Sequence, residues 1–304
     1  MYDIIVVGGG PAGMTAALYG LRNGKTVLVI EKSSFGGQIT HSPKVENYPG
    51  TLSMSGNQFA DSTFEQIMAQ GAEIEIETVC GIENAPDCKR VLTEEGNVFE
   101  GRAVVIATGV KHRMLGLEHE EDYVGEGISF CAVCDGDFYK GKTVCVAGGG
   151  NSALQEAILL SEKCTKVIML QDLPEFTGER RMQDLLFSKP NVEGFTQIRI
   201  LNLITEGSEF KGVRILHKDT GKEEDVSCDG LFVAIGLIPE NKPFADLADL
   251  NDWGYFDSDE NCLTRTPGIF VAGDCRSKRV RQLTTALADG ATAALAACNY
   301  INQL

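Results

Sequence analysis

Cys131 and Cys134, with Asp135 directly behind them, are the residues whose types and spacing are best suited to chemistry. Two thiols so close can close a small disulfide. A helix opening at Cys134 would put partial positive charge beside that sulfur and raise its thiolate fraction. Asp135 could then give or take a proton during thiol exchange, provided burial raises its pKa. The alternative is two unlinked thiols in a loop beside a solvated acid. The chain has ten cysteines; the others are Cys80, Cys88, Cys145, Cys164, Cys228, Cys262, Cys275 and Cys298. Most are isolated in apolar stretches, as expected of reduced, buried thiols in the cytoplasm. A zinc site would want further ligands close by, typically a second pair. None accompanies Cys131 and Cys134, so the pair reads as redox and no metal is expected.

A second constellation lies at the start of the chain. Residues 3–7 read as a buried strand, followed by Gly8-Gly9-Gly10-Pro11-Ala12-Gly13 and an Ala-rich helix to Asn23. Lys25 to Ile30 is a second strand, ending at Glu31. Gly8 permits the tight turn, Gly10 lets the backbone approach a pyrophosphate, and Gly13 allows close packing of helix on strand. Amides at the helix start would face the phosphates. Glu31 suits a ribose diol and repels a 2′-phosphate, which favours FAD or NAD over NADP. A disulfide beside an isoalloxazine ring would form a two-electron relay.

The elements that must position these residues repeat. Thr143 to Ala147 is a strand, Gly148-Gly149-Gly150-Asn151-Ser152-Ala153 a turn, Leu154 to Glu162 a helix and Val167 to Leu170 a strand. The two copies lie about 140 residues apart, which predicts two dinucleotide-type domains. The length of 304 residues agrees, since one domain usually takes ~100–200. Strands ending in small-residue turns recur at Ala103–Gly109 and Leu231–Gly236, and Gly268–Asp274 ends in an acid. Leu283 to Tyr300 is a long Ala-rich helix. The fold class is α/β throughout, one nucleotide domain being interrupted by a second. A net charge of −16 argues against nucleic acid or an anionic membrane as partner. No apolar run reaches the ~20 residues of a bilayer span, and Tyr2-Asp3 leads into a strand without a signal-peptide pattern. A cytoplasmic protein is expected.

With these motifs stand Gly36-Gly37-Gln38, Glu46-Asn47-Tyr48-Pro49-Gly50, Ala107-Thr108-Gly109 and Gly273-Asp274 with Arg281-Gln282. In this order they resemble the low-molecular-weight thioredoxin reductases of bacteria, from residue 2 to about residue 301. The Cys-Ala-x-Cys-Asp-Gly motif is specific to that class. The resemblance implies two Rossmann-like domains of the flavin disulfide reductase type, the second inserted in the first. It implies an FAD domain of residues 1–114 and 241–304, and an inserted domain of 115–240 carrying the disulfide. FAD would be held by Gly8, Gly10, Pro11, Ala12 and Gly13, by Glu31 and Lys32, and by Gly37, Gln38 and Asn47. Thr108, Gly109, Gly273, Asp274, Arg281, Gln282 and Leu283 complete the implied set. Cys134 would be the sulfur next to the flavin, Cys131 the one that attacks thioredoxin, and Asp135 the proton donor. A homodimer is implied too, with an inserted domain that rotates.

The second glycine turn departs from the family. NADPH-dependent members carry His-Arg-Arg after the next strand and a further Arg four residues later. Here Gln171-Asp172-Leu173 follow, with Thr177 at the last position. Each charge-assisted hydrogen bond contributes roughly 1.5–3 kcal/mol. Losing several would weaken NADPH by orders of magnitude, at ~1.4 kcal/mol per decade. Three donors remain open. Asp172 could take a ribose hydroxyl of NADH. Arg180-Arg181 could replace the clamp for NADPH, although a solvated helix start is the plainer reading. A ferredoxin could reduce the flavin directly, as in the ferredoxin-dependent subset that the chain resembles, and this reading is favoured. Arg276, Lys278, Arg279 and Arg281 would offer an acidic ferredoxin a landing site, or would form an ordinary loop with Arg281 at the flavin. A flavin redox sensor without turnover is the alternative from another class. Trp253 and Tyr255 read as packing residues, Cys275 as a filler thiol, and His41, His112, His119 and His217 as surface or loop residues.

Overall fold

The computed structural model describes residues 1–304. In chain order the strands and helices are β1 (Tyr2–Val7), α1 (Pro11–Arg22), β2 (Val27–Glu31), α2 (Gly56–Ala69), β3 (Glu73–Ile76), β4 (Val79–Asn84), β5 (Lys89–Thr93), β6 (Val98–Ile106) and β7 (Lys111–His112). There follow β8 (Ile128–Ser129), α3 (Ala132–Asp135), β9 (Thr143–Ala147), α4 (Asn151–Ser161), β10 (Lys166–Leu170), α5 (Arg180–Phe187), β11 (Val192–Phe195), β12 (Ile198–Glu206), β13 (Glu209–His217) and β14 (Glu223–Ser227). The last are β15 (Gly230–Val233), β16 (Leu237–Ile238), β17 (Ile269–Val271) and α6 (Leu283–Ile301). The chain forms two compact units, one of Met1–Lys111 with Ile238–Leu304, the other of His112–Leu237.

Unit one is built on a seven-stranded sheet of order β3-β2-β1-β6-β5-β4, with β17 also on β6. Strand β6 serves two neighbours in turn. Its first residues pair antiparallel with β5, and Val104 to Ile106 pair parallel with Ile269 to Val271 of β17. Ile4 and Val6 of β1 enter one core cluster, while Ile5 and Val7 enter the cluster on the other face. This alternation is that of a strand covered on both sides, which is why β1 and β2 read as unbroken apolar runs. Burying each such Val or Ile contributes roughly 1.5–3 kcal/mol. Helix α1 starts with Pro11 at its first position, after Gly10 in extended conformation, and no side chain caps it. Helix α6 lies so close to α1 that a Cβ on Gly290 would stand 2.2 Å from the Ala12 carbonyl oxygen.

Unit two repeats the plan with a five-stranded parallel sheet, β11-β10-β9-β15-β8, and adds the antiparallel β12-β13-β14. Val144 and Val146 face one cluster, Cys145 and Ala147 the other. Both units are therefore Rossmann-like. Their central registers match: Val7 lies opposite Ile30 in unit one, and Ala147 opposite Leu170 in unit two. No helix is long and apolar enough to cross a membrane.

Candidate active site: a redox disulfide and two glycine turns

Cys131 and Cys134 are joined by a disulfide, with Cα atoms 5.3 Å apart. Strand β8 at the sheet edge delivers the chain to this turn. Cys131 precedes α3 and Cys134 lies within it, so the expectation of a helix opening at Cys134 is corrected by two residues, to Ala132. The reason is local: Cys131 is extended, its sulfur lies 3.2 Å from the Cys134 N–H, and its carbonyl accepts the Asp135 N–H at 2.9 Å. Ser129 donates its hydroxyl to Asp135 Oδ2 at 2.6 Å and accepts the Cys131 N–H at 3.2 Å. The other Asp135 oxygen is buried with no partner. Burial raises the Asp135 pKa, against the Ser129 hydrogen bond, which lowers it. Glu156 on α4 accepts the Ala132 N–H. Burial pushes the Glu156 carboxyl up to about 7, opposed by the Ala132 amide and reinforced by Asp135. Two carboxyls thus flank the disulfide, each held above its ordinary range.

The first glycine turn lies in unit one. A Cβ on Gly8 would fall 2.4 Å from the Ala107 carbonyl oxygen, so this turn and Ala107-Thr108-Gly109 abut. A Cβ on Gly273 would stand 2.7 Å from Ala12, which brings Gly273-Asp274 to the same place. Gly36 donates to the Gly9 carbonyl at 2.9 Å, and Gly37 closes over Gly10. Glu31 is buried; it accepts the Gly9 N–H at 2.7 Å and the Ser33 N–H at 3.1 Å. Gly8, Gly10, Pro11, Ala12, Gly13, Glu31, Gly37, Thr108, Gly109, Gly273 and Asp274 thus converge around the start of α1, at the carboxyl ends of β1, β6 and β17. Asn47 donates to Gln282 at 3.1 Å, just before Leu283 opens α6. Thr108 donates to the fully buried Asn241. Lys32 is instead paired with Glu240, and Gln38 is exposed. Burial raises the pKa of Asp274, partly offset by Lys278 and Arg281. Its Oδ1 has no hydrogen-bond partner, and Lys278 stays 3.8 Å away.

Unit two's glycine turn has the same shape with different chemistry. Gly148 accepts the same register, donating to Leu170 O at 2.9 Å as Gly8 donates to Ile30 O at 2.8 Å. Gln171 lies against Gly149 as Glu31 lies against Gly9, so an amide replaces the carboxylate. The expectation that Asp172 faces a ribose is corrected. Its carboxylate accepts from Lys218 at 3.0 Å and lies 3.7 Å from Arg199, both on the neighbouring β12–β13 hairpin segment. Successive side chains leaving a strand point to opposite sides, so Gln171 and Asp172 cannot both face the turn. Thr177 lies over the turn, its N–H on the Gly149 carbonyl.

Two further readings change. The Arg276–Arg281 segment is not an open basic patch. Arg276 is buried and bound to Asp289, Ser258 and Asp259; Lys278 is paired with Asp289. Arg281 stacks on Tyr255 with its guanidinium 4.2 Å from the ring centroid, and donates to the Asp274 carbonyl. Only Arg279 is exposed. Trp253 is not a packing residue: it is 76% exposed, and the side-chain oxygen of Asn251 holds its turn by accepting the Trp253 and Tyr255 N–H groups. Ser129 and Glu156 also touch the redox turn. No motif marks Ser129, and Glu156, which stands in Gln155-Glu156 where the family has a Glu pair, reaches the turn only through the fold.

The whole length of the chain has relatives. Residues 2–290 match the family model of pyridine nucleotide-disulphide oxidoreductases. A thioredoxin reductase of Listeria monocytogenes is 36% identical over 304 residues, covering 100% of this chain and 95% of that protein. The chain belongs to the low-molecular-weight thioredoxin reductase family. A protein of the rubredoxin operon of Clostridium pasteurianum is 38% identical over 301 residues, covering 98% of this chain and 97% of that one. The crystal structure of thioredoxin reductase from Streptococcus pyogenes superposes with a TM-score of 0.94 at 36% identity, covering 100% and 99%. The thioredoxin reductase family is one of FAD flavoproteins, and this member is a thioredoxin-disulfide reductase homologue whose disulfide is Cys131–Cys134.

Proposed function

We propose that the chain is an FAD-dependent thioredoxin reductase, active as a homodimer, that draws its electrons from ferredoxin. The observation that carries the reductase reading is the Cys131–Cys134 disulfide with Asp135 behind it, one buried oxygen of that acid lacking any partner.

Unit one fits FAD. The space beside Gly10 is open where a Cβ would stand, the nearest atom being Gly36 O at 4.0 Å. The N–H groups at the start of α1 have no side-chain cap and suit a pyrophosphate. The orphaned Asp274 Oδ1 is an acceptor awaiting a hydroxyl donor. Glu31 retains acceptor capacity beyond its two amide partners. FAD, when bound, would supply the two electrons that reduce the Cys131–Cys134 disulfide. Cys131 then attacks the substrate disulfide, a mixed disulfide forms, and Cys134 displaces it as the substrate leaves reduced. Asp135 holds or delivers the proton that a departing sulfur takes.

Unit two supports this choice of donor. Gln171, Asp172, Leu173 and Thr177 stand where an NADPH clamp needs cations, and Asp172 neutralises Lys218 and Arg199 nearby. Gln171 in the Glu31 position also weakens the case for NADH, because an amide is a poorer partner for a ribose diol than a carboxylate. A one-electron carrier needs neither clamp nor diol partner. Ferredoxin would not dock on Arg276 or Lys278, since both are spent inside unit one. The test is anaerobic bleaching of the yellow protein with reduced ferredoxin, NADH and NADPH in parallel, followed by oxidised thioredoxin. Ferredoxin should bleach it and yield free thiols, and Cys134→Ser should abolish the thiol yield. Rapid, tight-binding reduction by NADPH would overturn the donor. Full turnover by Cys134→Ser would overturn the reductase.

A further inference from the structure

We propose that Glu156 is a positioning residue of the redox turn, pinning the Ala132 amide and setting by its charge how readily the reduced Cys131 sulfur ionises. The proposal deepens the reading above and rests on Cys131–Cys134 being the working disulfide.

Three backbone N–H groups around the disulfide are satisfied from within the turn and its approach. The Cys131 N–H goes to Ser129, the Cys134 N–H to the Cys131 sulfur and the Asp135 N–H to the Cys131 carbonyl. Ala132 is buried, and its N–H has no partner on its own element; Glu156 reaches across from α4 to supply one. An unsatisfied buried amide would loosen the turn. The acceptor is ionisable, and burial brings its pKa to about 7. Elements α3, α5, β9 and β10 pack on α4. Of their ionisable groups only Asp135 of α3 acts on Glu156, and it is another acid. Lys166 of β10 pairs with Glu193, Arg180 of α5 pairs with Asp184, Arg181 is exposed, and Cys145 of β9 is buried in the opposite core. Lys163, just past α4, pairs with Asp137. No cation therefore balances a second negative charge here.

Reduction creates that charge. The S–S bond takes two electrons, supplied by the flavin in the family's reaction, and one proton, leaving one thiol and one thiolate. A carboxylate bound to the amide of the residue after Cys131 raises the cost of the thiolate, and the thiolate raises the cost of the carboxylate. Glu156 holding its proton is the state in which Cys131 is the better nucleophile.

The test uses the FAD holoenzyme and its Glu156→Gln and Glu156→Ala variants. Each is reduced anaerobically with dithiothreitol, desalted and pulsed with iodoacetamide from about pH 5 to about pH 9, and the Cys131 peptide is quantified by mass spectrometry. Glu156→Gln keeps the acceptor and removes the charge; its alkylation midpoint should fall by about one pH unit, with about tenfold faster labelling on the acid limb. Hydrogen exchange over residues 131–135 should match the parent in Glu156→Gln and accelerate in Glu156→Ala. An unchanged or raised midpoint in Glu156→Gln overturns the charge role. Unchanged exchange in a folded Glu156→Ala overturns the positioning role, and if that variant does not fold, the Gln midpoint alone decides the proposal. The labelling profile needs no thioredoxin and, with dithiothreitol as reductant, none of the three candidate donors, so its failure is distinguishable from failure of the proposed function.

Discussion

The Ser129 hydroxyl and Asp135 Oδ2 are 2.6 Å apart, and this bond opposes the burial that raises the acid's pKa. Ser129→Ala removes the opposing contribution, so the Asp135 pKa should rise further. The protonated form then persists to higher pH, and the limb of the thioredoxin-reduction profile assigned to Asp135 should move to higher pH. Asp135→Asn should lower turnover by about 10²–10⁴-fold. A pH series of steady-state rates for both variants checks the pair.

Gly10 and Gly13 separate folding from cofactor binding. A Cβ on Gly13 would lie 1.8 Å from the Gly8 carbonyl oxygen, whereas Gly10 has φ −77° and open space. Gly13→Ala should cost at least ~3 kcal/mol. Gly10→Ala should keep its stability within about 1 kcal/mol and lose the flavin, because its methyl stands where the pyrophosphate would approach. Denaturation curves and the flavin absorbance per chain give the two readouts.

Glu156 should leave a mark on stability. Its folded pKa of about 7 lies above the ordinary 4.5, so the folded chain binds the extra proton more tightly. That contribution is fully present below about 4.5 and is lost as pH rises through about 7. Relative to Glu156→Gln, the parent should therefore lose roughly 3 kcal/mol at most across that window. Urea denaturation of both proteins at the two ends of the window measures the difference, and a difference that grows with pH in the parent's favour would contradict the sign.

Trp253 is the only tryptophan and is 76% exposed. Its emission should be red-shifted in the native state and quenched by iodide. Trp253→Ala should change stability by no more than about 0.5 kcal/mol. A blue-shifted, unquenchable native emission would place it in a core after all.

The sequence by itself determined the two nucleotide-type folds, the glycine turns and the redox pair. Each rests on short-range rules: apolar runs make buried strands, glycines allow the close approaches at Gly8 and Gly13, and a two-residue gap lets Cys131 and Cys134 bond. It also exposed the missing cations after β10, because strand ends can be counted. The tertiary structure alone decided which groups work together. Asn47 meets Gln282 across 235 positions, and Glu156 meets Ala132 from another helix. Gln171 rather than Asp172 faces the second turn because side-chain direction depends on where β10 ends, and Arg276 and Lys278 vanish into ion pairs with Asp289. Local spacing cannot encode these contacts. They arise where packed elements leave a buried amide or charge that only a distant residue can satisfy.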